Sequence, residues 1–308
     1  MSSWRELAER GRLFPHVLLG QLTTYKLGGP ARLMVRLEES DDLDLLFAGL
    51  QETPMPVLIL GRGSNVLISD RGFDGVVAQL GAGFSWVNVE RGQVAAGGAT
   101  FLPLLARAAT RAGEGKLEFF IGIPGSVGGA VRMNAGCHGT ETADVLMEAE
   151  VFDLRDGSRN RRSPIELGMS YRHSNLSDLE VVTAVKLSTD EVEVETGEQT
   201  LREVSRWRKE NQPGGTLNAG SVFKNPAGDA AGRLVDVAGL KGHSMGSVSV
   251  STKHANFIVA ERDATAQDVF DLIEEVARLV YQRTGVQLVP EIRFAGDFGD
   301  GMTEESPE

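Results

Sequence analysis

The stretch LILGRGSNVLISD, residues 58–70, constrains the fold more than any other part of the chain. An apolar run leads into Gly-Arg-Gly-Ser-Asn, and a second apolar run follows at once. A dinucleotide-binding turn of Rossmann type also puts glycines after a strand. That turn opens a helix, however, and carries a third glycine, as G-x-G-x-x-G. Here the third glycine is missing, and Val66, Leu67 and Ile68 come next. β-Branched Val66 and Ile68 favour a second strand over a helix start. The pattern predicts strand, tight turn, strand. Any phosphate cradle built on it is not of Rossmann type.

A second glycine-rich segment, FFIGIPGSVGGAVRMNAGCHG (119–139), carries glycines at 122, 125, 128, 129, 136 and 139 and few charges. It reads as a long flexible loop, and a bound ligand is a common reason to retain so much conformational freedom. Around these two segments the chain alternates short elements. Helices are predicted near 4–10, over SDDLDLLFAGLQE (40–52) with a Ser/Asp start, and over FLPLLARAATRAG with Pro103 in its first turn and Gly113 as its stop. Strands are predicted for PVLILG, VLISD, GVVAQL, FSWVNVE, QVAAGG, VLMEAEVFDL and LEVVTAVKLS, with TTYKLGGPARLMVRL extended before them. A helix near 198–211 leads into QPGGTLNAGSVFKNP, a composition break that suits an inter-domain passage. The last third alternates α and β: a helix ending at Gly239, a strand in HANFIVA, a helix over TAQDVFDLIEEVARLVYQRTG, and a strand in VQLVPEIRF. Thr265 and Asp268 form the box-like start of that last helix, and Gly285 ends it.

With 308 residues and a formal net charge of −12, the chain has no clustered basic surface for nucleic acid, although a local pocket for an anion remains compatible. One cysteine, Cys137, excludes an intrachain disulfide, and the five histidines show no metal-binding spacing, so no metal site is expected. No apolar run is long enough to span a membrane and no signal-peptide core is visible, so a cytoplasmic protein without membrane insertion is expected. The closing GDFGDGMTEESPE reads as a frayed acidic tail.

Several side chains invite chemical readings, each beside a plainer one. Backbone N–H groups of two glycine-rich segments can bind a diphosphate without a cation, and the longer segment suits a large cofactor. GRGSN alone is equally a tight turn. Arg172 in SYRHS reads, from pattern alone, as a surface arginine. Ser221, Lys224 and Asn225 in NAGSVFKNP suit a phosphate or uracil-type ligand or an ordinary loop. Glu291 and Arg293, two apart on a predicted strand, share a face and form at least a surface pair. Cys137, His138 and His254 read as structural.

The joint order is more specific than any one motif. TYKLGGPA, GRGSNVLISDRGFDGVV, GIPGSVGGAVRMNAG, YRHS, AGSVFKNP, AGRLVDVAGLKG, KHANFIV and PEIRF occur in the sequence and spacing of UDP-N-acetylenolpyruvoylglucosamine reductases, over about residues 22–295. The chain resembles the shorter form of that family, which lacks an extra tyrosine-bearing loop. The resemblance implies an α+β chain: an FAD-binding domain of vanillyl-alcohol-oxidase (PCMH) type followed by a smaller α/β substrate-binding domain. It implies an FAD-binding region over 1–200, with its PCMH-type core at about 22–190. A substrate-binding domain follows over 201–295, its last strand returning to the active site, and residues 296–308 are expected to be a disordered tail.

By the same resemblance the chain reduces UDP-N-acetylglucosamine enolpyruvate to UDP-N-acetylmuramate in peptidoglycan-precursor synthesis. It uses non-covalent FAD, NADPH as co-substrate, and a monomeric state. The YR, GSVFKNP and PE motifs assign catalysis to Arg172, Ser221 and Glu291. Arg172 steadies developing charge, Ser221 protonates the α-carbon, and Glu291, in its neutral form, polarises the enolic system. FAD is expected against Gly61, Arg62, Gly63, Ser64, Asn65 and Val66. It is also expected along the second segment, at Gly122, Ile123, Pro124, Gly125, Ser126, Gly128, Gly129, Ala130, Asn134, Ala135 and Gly136. Tyr171, Lys224, Asn225 and Arg293 are expected against the substrate. Two residues depart from the family pattern: His173, where a small or acidic residue is expected, and Ser249, where glutamine is more usual.

Overall fold

The computed structural model describes residues 2–299. The chain divides into two compact units, neither of them a single run of sequence. The first comprises 1–17, 33–62 and 75–210; the second comprises 18–32, 63–74 and 211–308. The expected consecutive division at 200/201 follows the composition break. The contact units differ from it because two N-terminal segments pack with the last third.

The first unit holds two larger sheets and a short two-stranded one, Gly136–Cys137 with Thr140–Glu141. One is four-stranded, in the order Leu13–Pro15, Ala31–Leu37, Phe73–Leu80, Val57–Ile59, and the last two strands pair in parallel. The helix Ser40–Glu52 lays Leu43, Leu46 and Leu50 against Val35, Leu37, Val76 and Ala78, the i, i+3, i+7 stripe expected of a helix buried on one face. Its cap lies one residue earlier than the Ser/Asp start suggests. Glu39 is the N-cap, and Asp42, fully buried, accepts the backbone N–H groups of Glu38 and Glu39.

The other larger sheet of this unit is five-stranded and antiparallel, in the order Arg159–Arg162, Leu146–Asp153, Glu180–Ser188, Gln93–Gly97, Val87–Glu90. Leu102, Leu105, Ala106 and Ala109 of the helix Leu102–Arg111 share a core with Val94, Ala96, Val182, Val185 and Leu187. The second glycine-rich segment is not one long loop. It contains a 3-10 turn, Glu118–Gly122, and a helix, Val127–Met133, capped by Ser126. Gly128 explains this packing: its N–H donates to Gly98 O at 2.8 Å, and a Cβ there would sit 3.3 Å from the carbonyls of Gly98 and Val182. Here the glycines serve close packing of a helix on a strand as much as flexibility.

The second unit builds one core around the helix Ala266–Thr284, whose Val269, Ile273, Val276 and Val280 are fully buried. The expected Thr265/Asp268 capping box is present, and Gly285 ends the helix in the left-handed region. The two carboxylate oxygens of Asp70 accept the N–H groups of Ala266 and Gln267 at 3.0 and 2.9 Å, a second cap from a distant part of the chain. Against the helix lie a three-stranded sheet (Ser244–Met245, Val248–Val250, Ile258–Ala260) and a parallel pair, Val66–Ile68 with Arg293–Ala295. The strand expected through HANFIVA is only its last three residues, and that expected through VQLVPEIRF begins at Arg293. Glu291 therefore precedes the strand and does not share a strand face with Arg293.

Within 296–299, at the start of the expected frayed tail, Phe298 and Asp297 have protein partners although Gly296, Asp297 and Gly299 are exposed. The Phe298 ring stacks 4.8 Å from Phe270, and Asp297 O accepts the Ser69 hydroxyl. Residues 300–308 lie outside the described residues.

Candidate active site

The GRGSN turn joins strands of different sheets, so it is not a hairpin, and the chain leaves the first unit for the second between Arg62 and Gly63. In the first unit, Gly61 O accepts from Gln79 Nε2 at 2.9 Å, and the Arg62 guanidinium lies 4.4 Å from the Phe101 ring. A Cβ on Gly61 would come within 2.6 Å of Ser126 Oγ, so the turn begins beside the cap of the Val127–Met133 helix. In the second unit Gly63 has φ +62°, and a Cβ there would meet Leu22 O at 2.4 Å. Only glycine fits that position without displacing backbone. Among the described residues, none of the five N–H groups from Gly61 to Asn65 donates to protein, and the same holds for Gly125 and Ser126. Gly63 is buried, where an unmatched N–H is costly.

The far end of the second glycine-rich segment is different. Asn134 is fully buried and left-handed (φ 40°). Its Nδ2 donates to Ser170 O and its Oδ1 accepts Ala143 N–H, each at 2.9 Å. Ala135 N–H donates to Ala130 O, and Gly136 pairs with Glu141 in a short hairpin. Asn134, Ala135 and Gly136, expected against FAD, have these groups engaged with protein. Asn134 and Gly136 also anchor the Tyr171–Arg172 turn.

That turn is pinned by three contacts. Besides the Asn134 bond, Ser174 Oγ donates to Arg132 O at 2.8 Å, and Arg172 Nη2 donates to Gly136 O at 2.8 Å. Arg172 has φ 53°, rare for a side chain of its size. Its guanidinium lies 4.9 Å from the Tyr171 ring. The plain surface-arginine reading therefore does not describe it. His173 is exposed, which leaves room for its departure from the family pattern.

In the second unit three distant motifs meet through backbone bonds. Glu291 N–H donates to Val222 O at 2.7 Å and Lys224 N–H to Val289 O at 2.9 Å. Asn65 Nδ2 donates to Glu291 O at 3.0 Å, and Arg293 N–H donates to Asn65 O at 3.1 Å. Ser221, partly exposed, adjoins Val222 in this cluster. Asn225 Oδ1 accepts Ala231 N–H, so it caps the helix Ala231–Val237. Sequence reasoning missed Asn256, a buried side chain that braces Val222 and Phe223. The only signal was its place in KHANF.

Cys137 and His254 both have protein partners. Cys137 Sγ is 3.1 Å from Phe119 O, and burial pushes its thiol up to about 11. Burial also lowers His254, whose Nδ1 accepts Asn256 N–H. Among the described residues no His, Cys, Asp and Glu group could hold a metal ion, and no helix is long and apolar enough to cross a membrane.

Comparison with known proteins decides the family. The family model described as "UDP-N-acetylenolpyruvoylglucosamine reductase, C-terminal domain" matches residues 212–295, and "FAD binding domain" matches 31–161. UDP-N-acetylenolpyruvoylglucosamine reductase 2 of Symbiobacterium thermophilum is 40% identical, covering 94% of each chain. The reductase of Acidiphilium cryptum is 41% identical, covering 96% of each. The chain belongs to the UDP-N-acetylenolpyruvoylglucosamine reductase family. A solved member, the reductase from Thermus caldophilus, superposes with a TM-score of 0.80 at 39% identity, over 92% of this chain and 99% of that one.

Membership in this reductase family confirms the expected α+β fold class with an FAD-binding domain. The cofactor is FAD, and the residues present fit it. Within the first unit, the unmatched amides of Gly61, Arg62, Gly125 and Ser126 supply donors for a diphosphate, and glycine at 61 keeps a Cβ out of the way. No histidine or cysteine stands in either cradle segment, 61–65 or 122–129, which suits non-covalent binding.

Proposed function

We propose that this chain reduces UDP-N-acetylglucosamine enolpyruvate to UDP-N-acetylmuramate with NADPH, as a cytoplasmic, monomeric flavoenzyme of peptidoglycan-precursor synthesis. One observation carries the assignment of roles: the backbone network that ties the Ser221 segment to Glu291 and to Asn65 of the GRGSN turn. It brings the two segments that carry the assigned acid and the assigned glutamate together within one unit. When bound, FAD would supply the hydride chemistry that links NADPH to the enolpyruvyl β-carbon.

Hydride addition leaves negative charge on the α-carbon and its carboxylate. Arg172 meets that charge with a planar fork suited to a carboxylate, and its pinned turn fixes the fork before the reaction begins. Glu291 polarises the enolic system, and Ser221 gives its proton to the α-carbon. A hydroxyl serves as the acid because the acceptor is strongly basic, so a donor pKa near neutrality is not required. Tyr171, Lys224, Asn225 and Arg293 are assigned to the substrate. Substrates made inside the cell support the cytoplasm.

The test is spectroscopic. The purified protein should be yellow, bleached by NADPH and recoloured anaerobically by the enolpyruvyl nucleotide sugar. A reduced protein that the sugar fails to recolour would overturn the reading.

A further inference from the structure

Asn256 lies outside every set of residues assigned above to catalysis, cofactor or substrate. It is buried, 5% exposed, in the turn before the strand Ile258–Ala260. Its carboxamide brackets one residue: Oδ1 accepts Phe223 N–H at 2.9 Å, and Nδ2 donates to Phe223 O at 2.8 Å. Its own carbonyl accepts Val222 N–H at 2.9 Å. Val222 O in turn accepts Glu291 N–H at 2.7 Å. One residue thus references both segments: its side chain holds Phe223, two residues after Ser221, and its backbone carbonyl holds Val222, which in turn accepts from Glu291.

A carboxamide suits this task because it offers a donor and an acceptor in one plane, matching the N–H and C=O of a single extended residue. Phe223 is 2% exposed, so neither backbone group can turn to water if the carboxamide is removed. The segment would shift, not merely resolvate. Gly220, one residue before Ser221, has φ +81°, so the chain there can swing once the brace is gone.

We infer that Asn256 is a positioning residue for proton delivery, holding the Ser221 hydroxyl and Glu291 in register for the second half of the reaction. The inference rests on the functional reading above. It predicts an asymmetry that simple destabilisation does not produce, because hydride transfer from NADPH needs neither Ser221 nor Glu291.

The experiment compares the two half-reactions by stopped-flow absorbance in flavin-loaded native protein, Asn256→Ala and Asn256→Asp. Aspartate retains the acceptor for Phe223 N–H and loses the donor to Phe223 O. Val280→Ala, a fully buried position on the helix Ala266–Thr284, is the control for lost stability. Reduction by NADPH should stay within about twofold of native in every variant. Reoxidation by the enolpyruvyl nucleotide sugar should fall about 10²-fold in Asn256→Ala, the scale expected of a small misplacement. It should fall less in Asn256→Asp and remain native-like in Val280→Ala. If Asn256→Ala does not fold, the Asn256→Asp and Val280→Ala pair carries the same comparison. Equal slowing of both halves, unchanged reoxidation, or the same asymmetry in Val280→Ala would overturn the inference. Native protein that the sugar fails to reoxidise would overturn the functional reading, and this inference with it.

Discussion

At Gly63 a single missing Cβ decides whether the turn can form. Gly63→Ala places a methyl 2.4 Å from Leu22 O at φ +62°, which should cost at least about 2 kcal/mol. The expected result is a lowered thermal midpoint and weakened FAD retention, read by differential scanning fluorimetry and by flavin absorbance after gel filtration. Arg172→Lys keeps the charge and loses the fork, so kcat should fall about 10²-fold; near-native turnover would refute the carboxylate role. Cys137 makes the opposite kind of prediction. With its pKa raised to about 11 by burial, roughly one thiol in a thousand is ionised at pH 8. Alkylation by iodoacetamide should be slow at neutrality and quicken about tenfold per pH unit until near pH 11. Rapid labelling at pH 7 would mean the thiol is not held as described.

Elements here are secured from outside themselves. Thr265 and Asp268 cap the helix Ala266–Thr284 by a local rule that the sequence displays, whereas Asp70 caps the same helix from 196 residues away. Asp70→Ala should remove about 1 kcal/mol of stability, measured by urea denaturation, with FAD content unchanged. The Val127–Met133 helix shows the same division. Its glycines read as loop because glycine is a poor helix former. The packing of Gly128 onto the carbonyls of Gly98 and Val182 outweighs that propensity. The turn holding Arg172 likewise depends on Asn134 and Ser174, whose bonds run 36 and 42 residues along the chain. No local pattern announces contacts of that length.

For the whole molecule, the decisive fact is that the second unit is not a C-terminal segment. Its core includes Tyr25, Leu27 and Leu67, and the Tyr25 hydroxyl donates to Ile258 O at 3.0 Å. Among the described residues, the strand Arg293–Ala295 pairs only with Val66–Ile68. A fragment of residues 212–308 should therefore fail to fold cooperatively, and near-ultraviolet circular dichroism should show no fixed aromatic environment. A cooperative melt of that fragment would contradict the unit boundaries.

The sequence by itself determined what short-range chemistry determines: the helix Ala266–Thr284 with its caps, the helix Leu102–Arg111 with Pro103 in its first turn, the strand-turn-strand at 58–70, and the ordered motifs that mark the reductase family. It determined which residues were candidates for the site. Only the tertiary structure decided that Asn134 and Gly136 anchor a turn, that Glu291 lies outside its strand, and that Asn65 and Asn256 tie the Ser221 and Glu291 segments together. The reason is range. Periodicity, capping and turn chemistry act over a few residues, whereas the bond from Asn65 to Glu291 spans 226 residues and exists only once the core has brought its two ends together.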